Sequence, residues 1–338
     1  MIRTGLIGYG RNGRSMHATA IEASPEFSMS AVCDIDRAAL EAAGRRFGCA
    51  LYEDYREMLA REALDLVVIV TPSDLHSQMS CDALRAGKNV LVTKPWGRDM
   101  HEVRSMLDAQ KESGRLLMPW LPARWGSDLT RLRQIVSDGE IGEIFQIVRS
   151  QFTFGLRNDW QIYAERGGGY LLNWGPHLVD QPMQLLGARP TEIFAVMKQV
   201  LNPGTAEDVF YTVMQMENGV TVTVQYNIAT PGMPNWILRG TRGTITMYDN
   251  KLRVERVSFP EHIPENTMRS KFTVDAREET VPGSVFGDTD EVYRHIADAV
   301  AHRAPYAIPL ESAANLSRTL AAIRESAAVG RSVPLHFE

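Results

Sequence analysis

Short, nearly unbroken apolar runs recur through the first third of the chain, at residues 2–7, 29–33, 66–70, 89–93 and 116–120. Their length and β-branched content predict strands, and their lack of alternation suits strands buried on both faces of a parallel sheet. Between them the apolar spacing changes to three and four. After Asp99, the residues Met100, Val103, Met106 and Leu107 share one stripe of a helix. Asp99, with Glu102 three positions on, suits its start and Gly114 its stop. Repeated strand–helix alternation predicts a parallel, doubly wound α/β sheet.

The pattern changes near 119–124. One helix is predicted over 128–137, and strand signals then follow one another without helices, at 144–152, 192–200, 209–216 and 220–226. Asn218-Gly219 suits a tight hairpin turn, because these residues tolerate positive φ, and Asp249-Asn250 marks a second hairpin. Met214 and Met216 alternate as core positions. This half reads as α+β, with an open, mostly antiparallel sheet that carries helices on one face and leaves the other free. Residues 260–287 are polar and read as loop. Two helices close the chain; in the last, Leu316, Leu320, Ile323 and Ala327 share a face and Gly330 ends it. Two domains are predicted, over 1–122 and 123–338.

Composition narrows the class. A chain of 338 residues has room for two domains, and 44% hydrophobic with 23% charged residues is globular rather than disordered. The net charge is −5, with 36 basic and 41 acidic residues intermixed, so no basic block offers a nucleic-acid or membrane surface. Cys33, Cys49 and Cys81 form no Cys-x-x-Cys pair, which points away from a metal or disulfide framework and toward a reducing cytoplasm. The first ten residues read as a strand entering a glycine turn rather than as a signal peptide, and no apolar run approaches the ~18 residues of a membrane span.

Candidate chemistry gathers in three places. Gly8-Tyr9-Gly10-Arg11-Asn12-Gly13 matches G-x-G-x-x-G directly between a predicted strand and helix. There the first glycine permits the turn, the second admits a pyrophosphate to the backbone, and the third lets helix pack on strand. Asp34 ends the second strand, where a carboxylate accepts hydrogen bonds from adenosine ribose hydroxyls and repels a 2′-phosphate, so NAD is favoured over NADP. Arg37 has two readings, pairing a 2′-phosphate or lying against the adenine. Thr93-Lys94-Pro95 leaves the C-terminal end of a predicted parallel strand, where ligands of such sheets bind. A lysine there can relay a hydroxyl proton and stabilise a developing alkoxide.

The third place is the stretch from Gly167-Gly168-Gly169 through Asn173 to His177 and Asp180. On a helix, Asn173 and His177 share a face at i, i+4. A histidine beside a carboxylate is a workable proton acceptor near neutral pH. No second histidine or cysteine cluster supports a metal site. His17 falls in the first helix, and Thr71-Pro72-Ser73-Asp74 leads to His76 in a loop that should line the nicotinamide side of a cofactor. Trp120, Trp125, Trp160 and Trp174 fit ordinary packing or sugar stacking equally.

Taken together these motifs resemble the Gfo/Idh/MocA oxidoreductases over essentially the whole chain. The marks are Gly8 to Gly13, Thr71-Pro72 with His76, Lys94-Pro95, Arg157 through Trp160, and the glycine triplet leading to His177 and Asp180. The resemblance implies a Rossmann domain followed by a sugar-binding α+β domain whose sheet mediates dimers or tetramers. It implies NAD(P)-dependent oxidation of a sugar, polyol or cyclitol carbinol, or reduction of the matching ketone. The implied roles are proton transfer for Lys94, acid/base or substrate binding for His177, and substrate contact for Asp180, Arg157 and Trp160. Two departures stand out: the usual Glu-Lys-Pro is Thr93-Lys94-Pro95, and the usual aspartate four residues before the histidine is Asn173. An amide orients a hydroxyl but takes no proton from it. The departures keep two alternatives open, a redox-neutral enzyme working through a transient ketone and a non-catalytic dinucleotide sensor.

Overall fold

In the computed structural model, which describes residues 1–229 and 232–337, the first apolar runs are parallel strands. They are β1 (Ile2–Ile7), β2 (Phe27–Cys33), β3 (Ala50–Tyr52), β4 (Leu66–Ile69), β5 (Asn89–Val92) and β6 (Leu117–Pro119). They pair in the order β3-β2-β1-β4-β5-β6. This order reverses direction between β1 and β4, the switch point where open α/β sheets bind ligands. Every residue of β4 is buried, as its unbroken run of Leu, Val and Ile requires. The short β3 lacks such a run and has no signature in the sequence pattern.

The helices between these strands are α1 (Ala18–Ala23), α2 (Arg37–Phe47), α3 (Tyr55–Arg61), α4 (His76–Arg85) and α5 (Met100–Ser113). A wide π turn, Gly13–His17, leads into α1. In α5, Asp99 caps as expected by accepting from the Glu102 N–H at 2.9 Å. Glu102 does not reach back to the Asp99 N–H; its carboxylate takes the Arg98 N–H at 2.8 Å and the Arg98 guanidinium. Asp36 is the N-cap of α2, accepting from Ala38 N–H at 2.9 Å.

The second sheet has nine strands: β7 (Ile144–Phe152), β8 (Pro190–Lys198), β9 (Val209–Met216), β10 (Thr221–Asn227), β11 (Trp236–Gly240), β12 (Gly243–Tyr248), β13 (Lys251–Ser258), β14 (Thr273–Thr280) and β15 (Val333–Pro334). Their order is β14-β13-β12-β11-β7-β10-β9-β8-β15. All neighbours are antiparallel except β7 and β10, which run parallel. The hairpins at Asn218-Gly219 and Asp249-Asn250 join β9 to β10 and β12 to β13. One expectation fails: the stretch read as loop, 260–287, contains the edge strand β14. Its residues are mostly exposed, so no hydrophobic alternation announces it. In β9, Phe210, Thr212, Met214 and Met216 face the core while Tyr211 stands on the open face.

The remaining helices are α6 (Ser127–Ser137), α7 (Tyr170–Leu178), α8 (Asp180–Leu186), α9 (Thr289–Val300) and α10 (Leu310–Val329). The chain forms two compact units. The first comprises Met1–Pro122, Asp159–Pro176 and Gly287–Ala321; the second comprises Ala123–Asn158, His177–Phe286 and residues from Ala322 on. The division is therefore discontinuous, unlike the single cut after Pro122 read from the sequence. Side chains explain it: Lys94 bonds Asn173, and His17 bonds Tyr293, so later segments close around the first sheet.

Candidate active site

In the first unit the candidate residues sit off the C-terminal ends of β1, β2, β4 and β5. The turn after β1 is shaped by close approach. A Cβ on Gly8, at φ +97°, would lie 2.7 Å from the Val70 carbonyl oxygen, and one on Gly13 would drive into the Gly8 carbonyl. Gly10 differs, for a Cβ there meets nothing within 4 Å. Protein packing thus dictates the outer glycines but not the middle one. A glycine with open space beside it fits a backbone kept bare for a pyrophosphate.

Asp34 supports this reading of the turn. Its Oδ2 accepts the Tyr9 N–H at 2.6 Å and its Oδ1 the Asp36 N–H at 2.9 Å, which orients the carboxylate at the strand end. The Tyr9 side chain is buried, edge-on to Phe47, so Tyr9 offers its main chain to the turn rather than its ring to a ligand. Arg37 is exposed and pairs with Glu53 at 2.9 Å; Arg11 and Asn12 open the helix. His17 is buried at the end of the π turn, with Nδ1 2.8 Å from the Tyr293 hydroxyl and its ring against Trp120. Burial holds its pKa down at about 3.

Beyond β4 and β5, Thr71, Pro72, Thr93 and Lys94 line adjacent strand ends. The Thr93 N–H and Oγ1 both donate to Ile69 O at 3.1 Å. Lys94 Nζ donates to two oxygens of Asn173, the carbonyl at 2.7 Å and Oδ1 at 2.6 Å. Asn173 is held for this by the glycine triplet. A Cβ on Gly168 would strike the Gln161 carbonyl, and α7 opens with the Asn173 N–H bonded to Gly169 O at 3.0 Å. The loop before it is tied down by Arg166 with Asp74 at 3.0 Å. His76 is almost wholly buried, with its ring nitrogens facing the Pro95 and Thr71 carbonyls. Burial lowers its pKa, against the opposing pull of those carbonyls. Trp160 is half-buried in a short turn capped by Asp159.

In the second unit, His177 is buried near the end of α7, edge-on to Phe286 with centroids 5.1 Å apart. Asp180 does not serve as its carboxylate neighbour. Arg124 grips both Asp180 oxygens at 2.8 Å, and Gln184 adds a third bond at 3.2 Å. A carboxylate holding a bidentate guanidinium has few lone pairs left for a substrate hydroxyl. Arg124 is the residue the sequence reading missed, because nothing local marks an arginine that pairs across 56 positions. Arg157 is anchored through its N–H to Asn202 Oδ1 at 2.8 Å. Among the described residues, no group of three His, Cys, Asp or Glu could hold a metal ion. No helix is long and apolar enough to cross a membrane.

This strand order, with the bare glycine and the oriented acid, fits a dinucleotide-binding Rossmann fold. The NAD-binding Rossmann-fold domain of the oxidoreductase family matches residues 2–120, and the GFO/IDH/MocA C-terminal domain matches residues 129–246. The chain belongs to the Gfo/Idh/MocA family of oxidoreductases. It is 26% identical to the scyllo-inositol 2-dehydrogenase (NADP(+)) of Bacillus subtilis, over 99% of this chain and 96% of that one. It is 28% identical to the inositol 2-dehydrogenase of Rhizobium meliloti, over 75% and 72%. Among solved structures, an NAD-binding protein from Listeria innocua superposes with a TM-score of 0.85 at 25% identity, over 98% and 96% of the chains.

Proposed function

We propose that this oxidoreductase interconverts a carbinol and a ketone on a sugar, polyol or cyclitol, with NAD preferred to NADP. The observation that carries the proposal is Lys94, held off the end of β5 by two neutral oxygens of Asn173. When bound, the nicotinamide supplies the hydride acceptor or donor. An ammonium at a strand end donates a hydrogen bond to the reacting oxygen and stabilises it as negative charge develops. His177, one turn further along α7 than Asn173, takes the hydroxyl proton, and Asn173 orients a neighbouring hydroxyl. Asp180 serves the second unit as an ion-pair partner of Arg124.

The preference for NAD rests on Asp34, whose carboxylate suits ribose hydroxyls and repels a 2′-phosphate, and on Arg37, which is engaged by Glu53. The Bacillus subtilis relative is named for NADP, so direct titration of both dinucleotides is the decisive measurement. Cyclitol-acting relatives support a polyhydroxylated ring as substrate. The exposed Phe194, Val196 and Tyr211 on β8 and β9 support a homodimer or homotetramer through the open sheet face.

The test is a panel of sugars, cyclitols and sugar acids with purified protein, following NADH at 340 nm as an assay wavelength and solvent deuterium in the product. Net NADH with one substrate class upholds the proposal. Product with deuterium and no net NADH establishes the redox-neutral alternative, which the amide of Asn173 favours. Tight NAD binding with no turnover of any kind leaves the sensor.

A further inference from the structure

We propose that His76 is a positioning residue for Lys94, acting through the Pro95 carbonyl. The inference rests on the reading of Lys94 given above. His76 opens α4 and is 1% exposed. Its Nδ1 lies 2.7 Å from Pro95 O and its Nε2 2.9 Å from Thr71 O. Thr71 follows β4 and Pro95 follows β5, so one imidazole lies between two neighbouring strand ends just beyond their ladder, and burial keeps it neutral with a single N–H to give to one of the two carbonyls.

The chain around Lys94 needs such a link. The last ladder bond on its N-terminal side is Thr93 N–H to Ile69 O. On the other side Pro95 has no N–H to continue the ladder. The next fixed point is Trp96, whose Nε1 donates to Ser317 Oγ at 2.9 Å. The Lys94 main chain is therefore bracketed by Thr93 before it and by the carbonyl that His76 holds after it. Lysine has a long flexible side chain, so the place of its Nζ against Asn173 depends on where its backbone is set. Nδ1 of His76 faces the Pro95 carbonyl, while Nε2 faces the Thr71 carbonyl and, at 3.5 Å, the Thr93 hydroxyl. The charged groups that act on the ring are Asp74 and Glu102.

The two links can be separated chemically. An asparagine amide stands in for the Nδ1–H and a glutamine amide for the Nε2–H. The experiment uses the full chain with His76→Asn and His76→Gln, each checked for folding by circular dichroism and melting temperature. Three quantities are read. These are the NAD Kd, the pH midpoint of Lys94 acetylation by trace acetic anhydride followed by peptide mass spectrometry, and kcat and KM across pH. The expected result is that His76→Asn stays within about threefold of the parent in kcat. His76→Gln should lose about tenfold or more in kcat, with a moved Lys94 labelling midpoint and KM and NAD Kd within about threefold. Equal behaviour of the two variants overturns the proposal, as does a large rise in NAD Kd with kcat unchanged, or a lower melting temperature with unmoved labelling.

Lys94 labelling needs no substrate, so it decides the proposal even if the hydride-transfer reading fails. Nitrogen-15 histidine spectra of the unaltered protein decide it without any variant. A proton on Nδ1 of His76 at neutral pH supports the Pro95 link, and a proton on Nε2 alone overturns it.

Discussion

Lys94 and Asn173 meet through two hydrogen bonds, with Nζ donating to the Asn173 carbonyl at 2.7 Å and to its Oδ1 at 2.6 Å. Both acceptors are neutral, so Asn173 orients the amine without giving it a counter-charge. Asn173→Asp would place a carboxylate at the same distance, and an opposite charge favours the protonated amine. The pH limb of kcat/KM that reports lysine deprotonation should then move up by about one unit. A pH series at saturating NAD checks this. If the limb belongs to His177 alone, it will stay where it was.

The glycine turn separates folding from binding. Gly13→Ala should lower the melting temperature and abolish NAD binding, because its Cβ would collide with the Gly8 carbonyl. Gly10→Ala should leave the melting temperature of the free protein nearly unchanged, since a Cβ there meets nothing. NAD should nonetheless bind at least ~10-fold more weakly to it, a cost of about 1.4 kcal/mol. Thermal shift with and without NAD distinguishes the two.

The proposed preference for NAD makes Asp34 the residue on which the choice of dinucleotide should depend. Asp34→Ser removes the charge that repels a 2′-phosphate and the paired acceptor for ribose hydroxyls. The ratio of NADP to NAD affinity should rise by about tenfold or more, corresponding to the ~1.5 kcal/mol of a hydrogen bond to a charged group. Titration of both cofactors measures it.

His17 makes stability depend on pH. Its pKa falls to about 3 in the folded chain, from an ordinary 6.5, because burial disfavours the charged ring. Between those values the unfolded chain binds more protons than the folded one. This contribution is therefore fully present above pH ~6.5 and is lost as pH falls toward 3, at up to ~1.4 kcal/mol per pH unit. Urea unfolding from pH 7.5 down to 4.5 should show the slope, and His17→Gln should flatten it.

Asp180 and Arg124 are a buried pair, with side chains 2% and 9% exposed. Asp180→Asn would leave a guanidinium buried without its charge partner, at a cost of about 3–5 kcal/mol. Replacing both, with Arg124→Met and Asp180→Leu, should recover most of that loss. Chemical denaturation of the three variants tests it. A substrate role for Asp180 would instead appear as lost kcat/KM at unchanged stability.

These relationships mark where local pattern stops being informative. The strands of the first sheet other than β3, the capped helix α5 and the hairpin at Asn218-Gly219 were legible because each depends on residues a few positions apart. Exposed or very short strands escaped, β14 because nearly all its residues face water and β3 because three residues carry no period. The glycine turn was legible too, since a glycine motif between strand and helix is a contiguous signal.

By itself the sequence determined the two sheets' character, the glycine turn, the acid at the end of β2 and the placing of Lys94 at a strand end. Only tertiary structure decided partners. Lys94 found Asn173 across 79 positions, Asp180 found Arg124 across 56, and His17 found Tyr293 across 276. A backbone's period is written in its neighbours, whereas a buried polar side chain bonds whatever packing brings within reach. That is why His177 and Asp180 look alike as candidates in the sequence, while the fold commits Asp180 to a guanidinium.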